Sequence, residues 1–499
     1  MTTPTDWMWK GQRAFRNLAQ ADAVELFRAL DDRLDPTIAL VGVLLETFDD
    51  APDTCVEPAR DQRLAQAVAG LRAAAVESGA ANQPLGDPRL RLPQVLQAGH
   101  VAAQRALERA LEAHDVEHGV ASFCSFPQRV GGYLVSVVIQ FARATVEAHG
   151  HDGRGSHHVD GSPVTLLDAV IEEYLVECAA ALARPDMGRY GVLDHEVPDL
   201  MRAAGRRLMH GPGQLMHGMT DLYDVCNVIS TMTYEGADGI GGMLIAPRGH
   251  ADVRPDLSLQ RPASLRDYRT VRKLLEISDD GLFLLCGDGE VHGFGRSSAP
   301  TGAAPAVLFL VAFTGQHRWR LSLGPRVLME VTYGQPHLPK ERLNALDFHR
   351  TVERTFPTMS GADVDTLWSL VSAATEQRHG TMVVVSTGAA LESARLGTQA
   401  IATAPTLLTP AVMRQITAID GAVLIDPSNR CHAIGAILDG LATESGDPSR
   451  GARYNSAIRY VASSAHACLA IVVSEDGMIN IVAPGTAAQS AAGTLPSRA

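Results

Sequence analysis

The sequence Ile419-Asp420-Gly421-Ala422-Val423-Leu424-Ile425 places a carboxylate and two small residues directly before a short apolar strand. Two further polar groups follow it. One is Gly451-Ala452-Arg453-Tyr454-Asn455-Ser456-Ala457, which opens a predicted helix, and the other is Ser474-Glu475, which comes after the apolar run 469–473. Because each group stands at the end of an element, a rigid scaffold can point its polar atoms at a ligand. The sequence therefore predicts the functional site in this region.

Strands and helices alternate around these groups, which is typical of an α/β domain. Ser360 with Asp363 fits a capping box, and Thr409-Pro410 is typical of an N-cap followed by proline at the first helical position. Predicted strands lie at residues 381–385, 422–425, 433–438, 469–473 and 478–482. We therefore predict a mixed-sheet α/β domain over residues 348–484, followed by a disordered tail rich in Ala, Gly and Ser over residues 485–499.

The sequence before residue 348 predicts two further regions. Residues 1–264 alternate between helical periodicity and short apolar runs, which indicates a mixed α/β region. Residues 265–347 have strand-like periodicity and contain Asp288-Gly289, a favourable hairpin turn because both residues tolerate a positive φ. This indicates a small antiparallel β region. The Gly- and His-rich segment 149–158 favours a solvated surface loop over a metal site, because a short His-rich tract is only compositional evidence.

Composition argues against several classes of function. The formal net charge of −13 argues against a general nucleic-acid binder, which needs basic surface. The seven cysteines are scattered and never in C-x-x-C spacing, as expected for free thiols in a reducing cytoplasm. No apolar run approaches the length that spans a bilayer, and the N-terminus has no apolar signal core. We therefore expect a cytoplasmic protein with no nucleic-acid partner and no place in a membrane.

Two carboxylates are candidate metal ligands. Asp420 precedes Gly421 and Ala422, whose small side chains let another backbone approach closely, so Asp420 can hold a metal ion or accept a proton beside a nucleotide. Glu475, which follows Ser474, can be a second metal-binding carboxylate. The structural alternatives are that Asp420 caps an ordinary turn and that Glu475 is a hairpin residue.

The helix start at Gly451 is a candidate phosphate site. Unpaired N–H groups and the helix dipole favour an anion there, and Arg453 adds a charged, forked donor. The alternative is an ordinary capped surface helix. Each of these signals is weak by itself, but three of them within one predicted α/β unit are considerably more specific.

Residues 355–484 resemble the diadenylate cyclase domain, a family that joins two ATP molecules into cyclic di-AMP. The resemblance is carried, in the family's order, by His379-Gly380 before a strand, Asp420-Gly421-Ala422, Gly451-x-Arg453 at a helix start, and Ser474-Glu475. The first 350 residues resemble, more weakly, the sensor-like extensions that precede such domains.

This resemblance implies a diadenylate cyclase that makes cyclic di-AMP and two pyrophosphates under control of the N-terminal region. It implies catalysis at Asp420, Gly421 and Ala422, with Mg²⁺ or Mn²⁺ held by Asp420 and Glu475. The residues implied to bind ATP are Gly451, Arg453, Tyr454, Asn455, Ser456 and Ser474. The product has two equivalent links, whereas one domain offers one ATP site, so a homodimer or higher homo-oligomer is expected.

The chain departs from the family in its arginine motif. R-H-R is here Arg453-Tyr454-Asn455, and the Ser or Thr often found before it is Ala452. The change removes phosphate-side donors, so it bears on turnover more than on nucleotide binding, because catalysis needs an aligned α-phosphate. Two alternatives therefore stay open. One is a catalytically inactive nucleotide or cyclic-dinucleotide sensor with the same pocket, and the other is a scaffold that binds another protein.

Overall fold

The computed structural model describes most of the chain in fourteen segments. These are residues 8–45, 51–59, 61–73, 91–151, 165–184, 191–233, 240–278, 281–297, 308–324, 326–339, 345–375, 380–438, 452–473 and 479–484. The chain divides into two compact units, Met1–Pro339 and Lys340–Ala499. The predicted boundaries at residues 264, 347 and 484 stay predictions, and the predicted tail lies outside the described residues.

The first part of the N-terminal unit is a five-stranded antiparallel sheet with helices packed on it. Its strands are ordered β2-β1-β5-β3, with β4 paired to β5. The strands are β1 (Thr37–Leu44), β2 (Thr54–Glu57), β3 (Val120–Cys124), β4 (Gln128–Val130) and β5 (Tyr133–Ala142). The helices are α1 (Gln12–Leu30), α2 (Gln62–Ala67), α3 (Arg91–His118) and α4 (Arg143–Ala148). Helix α1 buries one apolar face, and its Phe27 meets Phe141 of β5 edge to face at 4.9 Å.

Four helices follow this sheet. They are α5 (Leu166–Ala183), α6 (Val197–Leu208), α7 (His210–Gln214) and α8 (Leu222–Thr231). Helix α5 begins at a capping box in which the side chains of Thr165 and Asp168 each bond the other residue's backbone N–H. Most of α5 is buried, because apolar residues occur around nearly its whole circumference.

Two histidines of the His-rich segment are buried, so the predicted solvated loop is wrong for them. His149 Nε2 lies 3.1 Å from Asp31, and His151 Nδ1 lies 2.9 Å from Asp168. Their side chains are 5% and 10% exposed. Buried imidazoles of this kind need a polar partner, and the two carboxylates supply it. Residues 152–158 of the segment lie outside the described residues.

An eight-stranded sheet completes the N-terminal unit, in the order β13-β12-β11-β10-β6-β8-β9-β7. Its strands are β6 (Ile240–Ile245), β7 (Val253–Ser264), β8 (Phe283–Gly287), β9 (Glu290–Ser297), β10 (Phe309–Gly315), β11 (Arg318–Leu323), β12 (Arg326–Thr332) and β13 (Gln335–His337), with helix α9 (Tyr268–Leu275) between β7 and β8. The predicted hairpin turn is confirmed, since Asp288 and Gly289 have φ values of 56° and 79°. The sheet is larger than predicted because β6 and β7 join it, and β6 runs parallel to β8.

The C-terminal unit is the predicted mixed-sheet α/β domain. Its strands are ordered β15-β17-β16-β14-β18-β19. They are β14 (Thr381–Ser386), β15 (Ile401–Leu407), β16 (Ala422–Ile425), β17 (Arg430–Ala436), β18 (Cys468–Val473) and β19 (Ile479–Val482). Strands β14 and β16 are parallel, and the other pairs are antiparallel.

Helices cover both faces of this sheet. Alternate residues of β14 point to opposite sides, so Val383 and Val385 join one apolar core while Met382 and Val384 join another. The first core is shared with α10 (Ala345–Thr355), α11 (Gly361–Ala374) and α13 (Pro410–Ile416), and the second with α12 (Ala389–Leu396) and α14 (Ala452–Ser463). The predicted caps at Ser360 and Thr409 are both present.

Two expectations from composition can be compared with the structure. All seven cysteines are free thiols, as predicted. Among the described residues, no helix combines the length and the apolar character needed to cross a bilayer.

Candidate active site

The structure brings two of the predicted groups together. Asp420 lies in the turn between α13 and β16, and Arg453 lies in the first turn of α14. Nη2 of Arg453 donates a hydrogen bond to Oδ1 of Asp420 at 3.0 Å, although the two residues are 33 positions apart. The Asp420 side chain is 88% exposed and that of Arg453 is 39% exposed. Both charged groups are therefore within reach of a ligand from solvent.

Gly421 fixes the position of Asp420 by packing directly against the neighbouring strand. Its φ is +105°, and a Cβ built on it would lie 2.5 Å from the carbonyl carbon of Gly435 in β17. The close backbone approach predicted for the Asp-Gly-Ala sequence is thus confirmed. Ala422 is buried at the start of β16, opposite Met382 of β14. The carboxylate of Asp420 therefore projects from a backbone that leaves no room for a larger neighbour.

Helix α14 packs into the second core of the C-terminal unit. Tyr454 is half-buried and packs against the second core, which contains Ala457 and Tyr460. The hydroxyl of Tyr460 donates to Oε2 of Glu392 in α12 at 3.0 Å, and Arg395 holds the same oxygen at 2.9 Å. Burial, and next the nearby Glu392 charge, raise the pKa of Tyr460, so its hydroxyl keeps the proton that it donates.

The Tyr460–Glu392 contact was missed by sequence reasoning. The two residues lie 68 positions apart, and neither belongs to a polar group at an element end. The only sequence signal is a helical spacing that places Tyr460 on the apolar face of α14 with Ala457. Its effect is to hold α14 against α12, and so to keep Arg453 beside Asp420.

The other predicted site residues are distributed as follows. Asn455 and Ser456 are half-buried in α14, close in sequence to Arg453. Gly451, Ser474 and Glu475, together with His379, lie outside the described residues. The nucleotide contacts of all these residues, and of Tyr454, stay predictions.

Three regions of the chain match known protein families. Residues 370–487 match the family described as the DisA bacterial checkpoint controller nucleotide-binding domain, or DAC. The C-terminal region is a DAC domain. Residues 8–209 and 220–324 match two families described as the probable sensor domains DACNG and DACNH. The predicted resemblance, a DAC domain preceded by sensor-like regions, is confirmed.

Solved structures are also similar to part of this chain. A double mutant of DacA from Staphylococcus aureus shares 19% sequence identity and has a TM-score of 0.22, covering 26% of this chain and 87% of its own. A hypothetical membrane spanning protein from Bacillus cereus shares 21% identity and has a TM-score of 0.24, covering 28% of this chain and 69% of its own. No curated protein sequence matches the chain.

The carboxylate of Asp420, which with Arg453 forms the candidate DAC site, is held in its ionised form. The hydrogen bond from Arg453, then the backbone N–H of Gly421, and then the Arg453 charge lower the pKa of Asp420 below its ordinary value of 3.8. An efficient general base has a pKa near the working pH. Of the two roles predicted for Asp420, this favours the charged ligand over the proton acceptor.

The donor chemistry of the DAC site suits a divalent metal shared with a nucleotide. Mg²⁺ is usually held by one or two carboxylates together with substrate phosphates and water, rather than by a complete protein cage. Asp420 offers one such exposed carboxylate. In the described part of the chain, no group of three or more His, Cys, Asp or Glu side chains forms a metal cage. Asp420 is therefore a residue that could hold such a metal.

Proposed function

We propose that this protein is a diadenylate cyclase that converts two ATP molecules into cyclic di-AMP and two pyrophosphates. The observation that carries the proposal is the hydrogen bond between Asp420 and Arg453 inside a domain of the DAC family. It brings together a carboxylate for a metal and a guanidinium for phosphate, which are the two charges that phosphoryl transfer needs.

The reaction forms two phosphodiester links. In each step a 3′-hydroxyl oxygen of one nucleotide attacks the α-phosphorus of the other. The bond between that phosphorus and the oxygen that bridges it to the β-phosphorus breaks. The hydroxyl loses its proton to solvent, and pyrophosphate leaves. The protein mainly positions the groups and offsets negative charge, as in other phosphoryl transfers.

Arg453 changes partner during this cycle. Exposed ion pairs contribute only roughly 0.2–1 kcal/mol, so ATP phosphate can displace Asp420 from Arg453 at low cost. Arg453 and the N-terminal end of α14 then hold the phosphates, because helix N–H groups and a forked guanidinium both favour oxyanions.

The carboxylate that Arg453 releases becomes available to a metal ion. Asp420, with Glu475 as a second carboxylate, would hold Mg²⁺ or Mn²⁺, which supplies charge neutralisation at the phosphates. Asn455, Ser456 and Ser474 would complete the polar contacts to ATP. Gly421 and Ala422 keep the backbone close enough to β17 for Asp420 to stay at this position.

A two-fold arrangement of DAC domains follows from the symmetry of the product. Each domain would bring one ATP, and two facing sites would join them. Activity per protomer is therefore expected to rise with protein concentration. A rate strictly proportional to enzyme concentration, in a protein shown to be monomeric by light scattering, would exclude this arrangement.

A second function is favoured by one specific observation. The family's R-H-R motif has lost two of its three cationic positions here, since Tyr454 and Asn455 replace them. A site with Arg453 alone can still bind ATP, and the protein would then be a nucleotide sensor without turnover. In either case the regions matched to probable sensor domains would act on the DAC site.

The two functions are separated by incubating the full-length protein with ATP and either Mg²⁺ or Mn²⁺, with products resolved by mass. A cyclase produces a species with the mass of cyclic di-AMP. Tight ATP binding with no product under either metal would support the sensor. If the protein neither binds ATP nor forms product, both proposed functions would be wrong.

A further inference from the structure

The second face of the eight-stranded sheet carries its own apolar cluster. Along β6, Met243 and Ile245 join the main core of the N-terminal unit, whereas Leu244 faces the other way. Leu244, Ala246 and Leu308 form this smaller cluster, with Val253, Phe283, Leu285 and Leu310 packed against it. The same alternation in β9 buries Val291 in the main core and turns His292 to the second face.

A cavity of about 180 Å³ lies on this face, between β6, β7, β8 and β9. Its apolar lining includes Leu244, Ala246, Leu257 and Leu285. Engineered apolar cavities of roughly 150 Å³ bind benzene. The cavity therefore has room for a molecule the size of one six-membered ring and a small substituent.

Strand β7 closes one side of the cavity because residue 293 is glycine. A Cβ on Gly293 would lie 2.1 Å from the carbonyl oxygen of Leu257, so any side chain there would push β7 away. Leu257 itself is 56% exposed although it lines the cavity. A ligand can thus enter beside β7 without opening the main core.

One residue of the cavity lining, His292, has a ring nitrogen whose hydrogen-bonding need is unmet among the described residues. His292 Nε2 lies 2.8 Å from the carbonyl oxygen of Gly287 and 3.1 Å from Nε of Arg248. Among the described residues, Nδ1 of His292 is buried and has no hydrogen-bond partner. When Nε2–H donates to Gly287, Nδ1 is a bare acceptor, and in the other tautomer it is a donor. Either state is completed by a ligand hydroxyl, which both donates and accepts.

The charges around the cavity favour an uncharged ligand. Arg248 is the cationic side chain in the lining, and two carboxylates already hold it, Asp288 at 3.1 Å and Glu290 at 3.3 Å. The described residues of the lining include no Asp or Glu. An anionic ligand would have to displace both carboxylates from Arg248, and a cationic ligand would lose its hydration without gaining a counter-ion from the described lining.

We propose that this cavity binds a small, uncharged, ring-sized molecule whose hydroxyl group pairs with Nδ1 of His292. The cavity lies within residues 220–324, which match a probable sensor domain whose description names no ligand. The proposal concerns binding alone and does not depend on catalysis at Asp420.

Phenol and benzene test the proposal as a matched pair of probes, because they differ by one hydroxyl. Calorimetric titration of the full-length protein is expected to show saturable phenol binding, at least about tenfold tighter than benzene binding. His292→Leu keeps the bulk of the side chain and removes the nitrogen, so phenol should lose this advantage while benzene binding is retained. No saturable phenol binding, or an unchanged preference in His292→Leu, would overturn the proposal.

Substitutions of leucine for two different alanines locate the binding site. Ala246→Leu fills the cavity and should abolish binding of both probes. Ala312→Leu makes the same change on the same sheet face in β10, outside the cavity lining, and should leave binding intact. Phenol binding that survives Ala246→Leu would place the ligand elsewhere and overturn the proposal.

An enlarged cavity excludes misfolding as the cause of lost binding. Leu244 is 3% exposed and lines the cavity, so Leu244→Ala should enlarge it. We expect this variant to bind para-cresol several-fold more tightly, relative to phenol, than the natural protein does. An unchanged ratio in a folded variant would contradict the proposed position of the ring.

Discussion

The two proposed sites in this protein would recognise ligands by opposite means. At the DAC site the reactive groups are exposed charges, with the Asp420 side chain 88% open to solvent and paired to Arg453. In the cavity of the N-terminal sheet the lining is mostly apolar, and its distinguishing feature is the imidazole of His292, one nitrogen of which has no partner in the described part of the chain. The first site depends on charges that the ligand and its metal rearrange, and the second depends on shape and one hydrogen bond.

This difference has a consequence for mutations. An exposed ion pair adds little to stability, so its loss should affect function and leave the fold intact. The backbone contact between Gly421 and Gly435 that positions the pair is closely packed, so its loss should affect stability as well. Substitutions at Asp420 and Arg453 should therefore change function, whereas a substitution at Gly421 should also change stability.

The first prediction concerns the carboxylate of Asp420. Asp420→Asn keeps the shape of the side chain and removes its charge, so cyclic di-AMP formation should fall by at least about a hundredfold. Asp365→Asn is the matched control, because Asp365 is also exposed and has one ionic partner, His349 at 3.4 Å. Equal turnover in the two variants would show that another carboxylate does this work.

The second prediction concerns the guanidinium of Arg453. Arg453→Ala should weaken ATP binding by roughly 1.5–3 kcal/mol, the range for hydrogen bonds to charged groups. Arg430→Ala removes the same charge from an exposed position in β17 and should leave binding unchanged. The measurement is calorimetric titration with ATP. If both variants bind ATP equally well, Arg453 does not contact phosphate.

The third prediction concerns Gly421. Gly421→Ala should destabilise the C-terminal unit by about 1–3 kcal/mol, because the residue has a positive φ and its Cβ would meet the backbone of Gly435. Gly361→Ala is the control, since a Cβ there meets nothing within 4 Å. Hydrogen exchange of residues 380–438 is the suitable measurement, because two units need not unfold together. Equal protection in both variants would contradict the close packing.

The fourth prediction concerns pH and has the smallest effect. The pKa of Asp420 is lowered in the folded protein. The contribution of this carboxylate to stability is therefore present above pH 3.8, its ordinary pKa, and is lost as the pH falls through the lower pKa of the folded state. Between about pH 5 and pH 9 the carboxylate stays ionised. The ratio of kcat/KM between the natural protein and Asp420→Asn should therefore be constant over this range. A ratio that changes tenfold per pH unit would mean that Asp420 acts as a base.

The sequence predicted the elements that carry Asp420 and Arg453, because these residues stand at element ends. Alternating strands and helices located β14, β16, α14 and β18, and the small residues of Asp420-Gly421-Ala422 indicated the close approach that Gly435 makes. Strand β15 was missed, because most of its side chains are exposed and it has no apolar alternation. The contact between Tyr460 and Glu392 was missed because only the fold brings the two residues together.

The cavity could not be predicted in the same way. Its lining comes from four strands, and β7 contains Pro255 and Pro262, which argue against a regular strand. His292 reads in the sequence as a polar residue alternating with buried ones, which is typical of a solvent-facing position. Composition placed His149 in a solvated loop, whereas its side chain is buried against Asp31. Pairing partners for such histidines are set by tertiary contacts that no local pattern contains.

If the Asp420–Arg453 site joins two ATP molecules, the reaction must have a fixed stoichiometry that can be measured. The full-length protein is incubated with ATP and Mn²⁺ or Mg²⁺, and cyclic di-AMP and pyrophosphate are quantified in the same sample. We expect two pyrophosphates for each cyclic di-AMP, with both products lost in Asp420→Asn. Unconsumed ATP under both metals, or inorganic phosphate released without cyclic di-AMP, would contradict it.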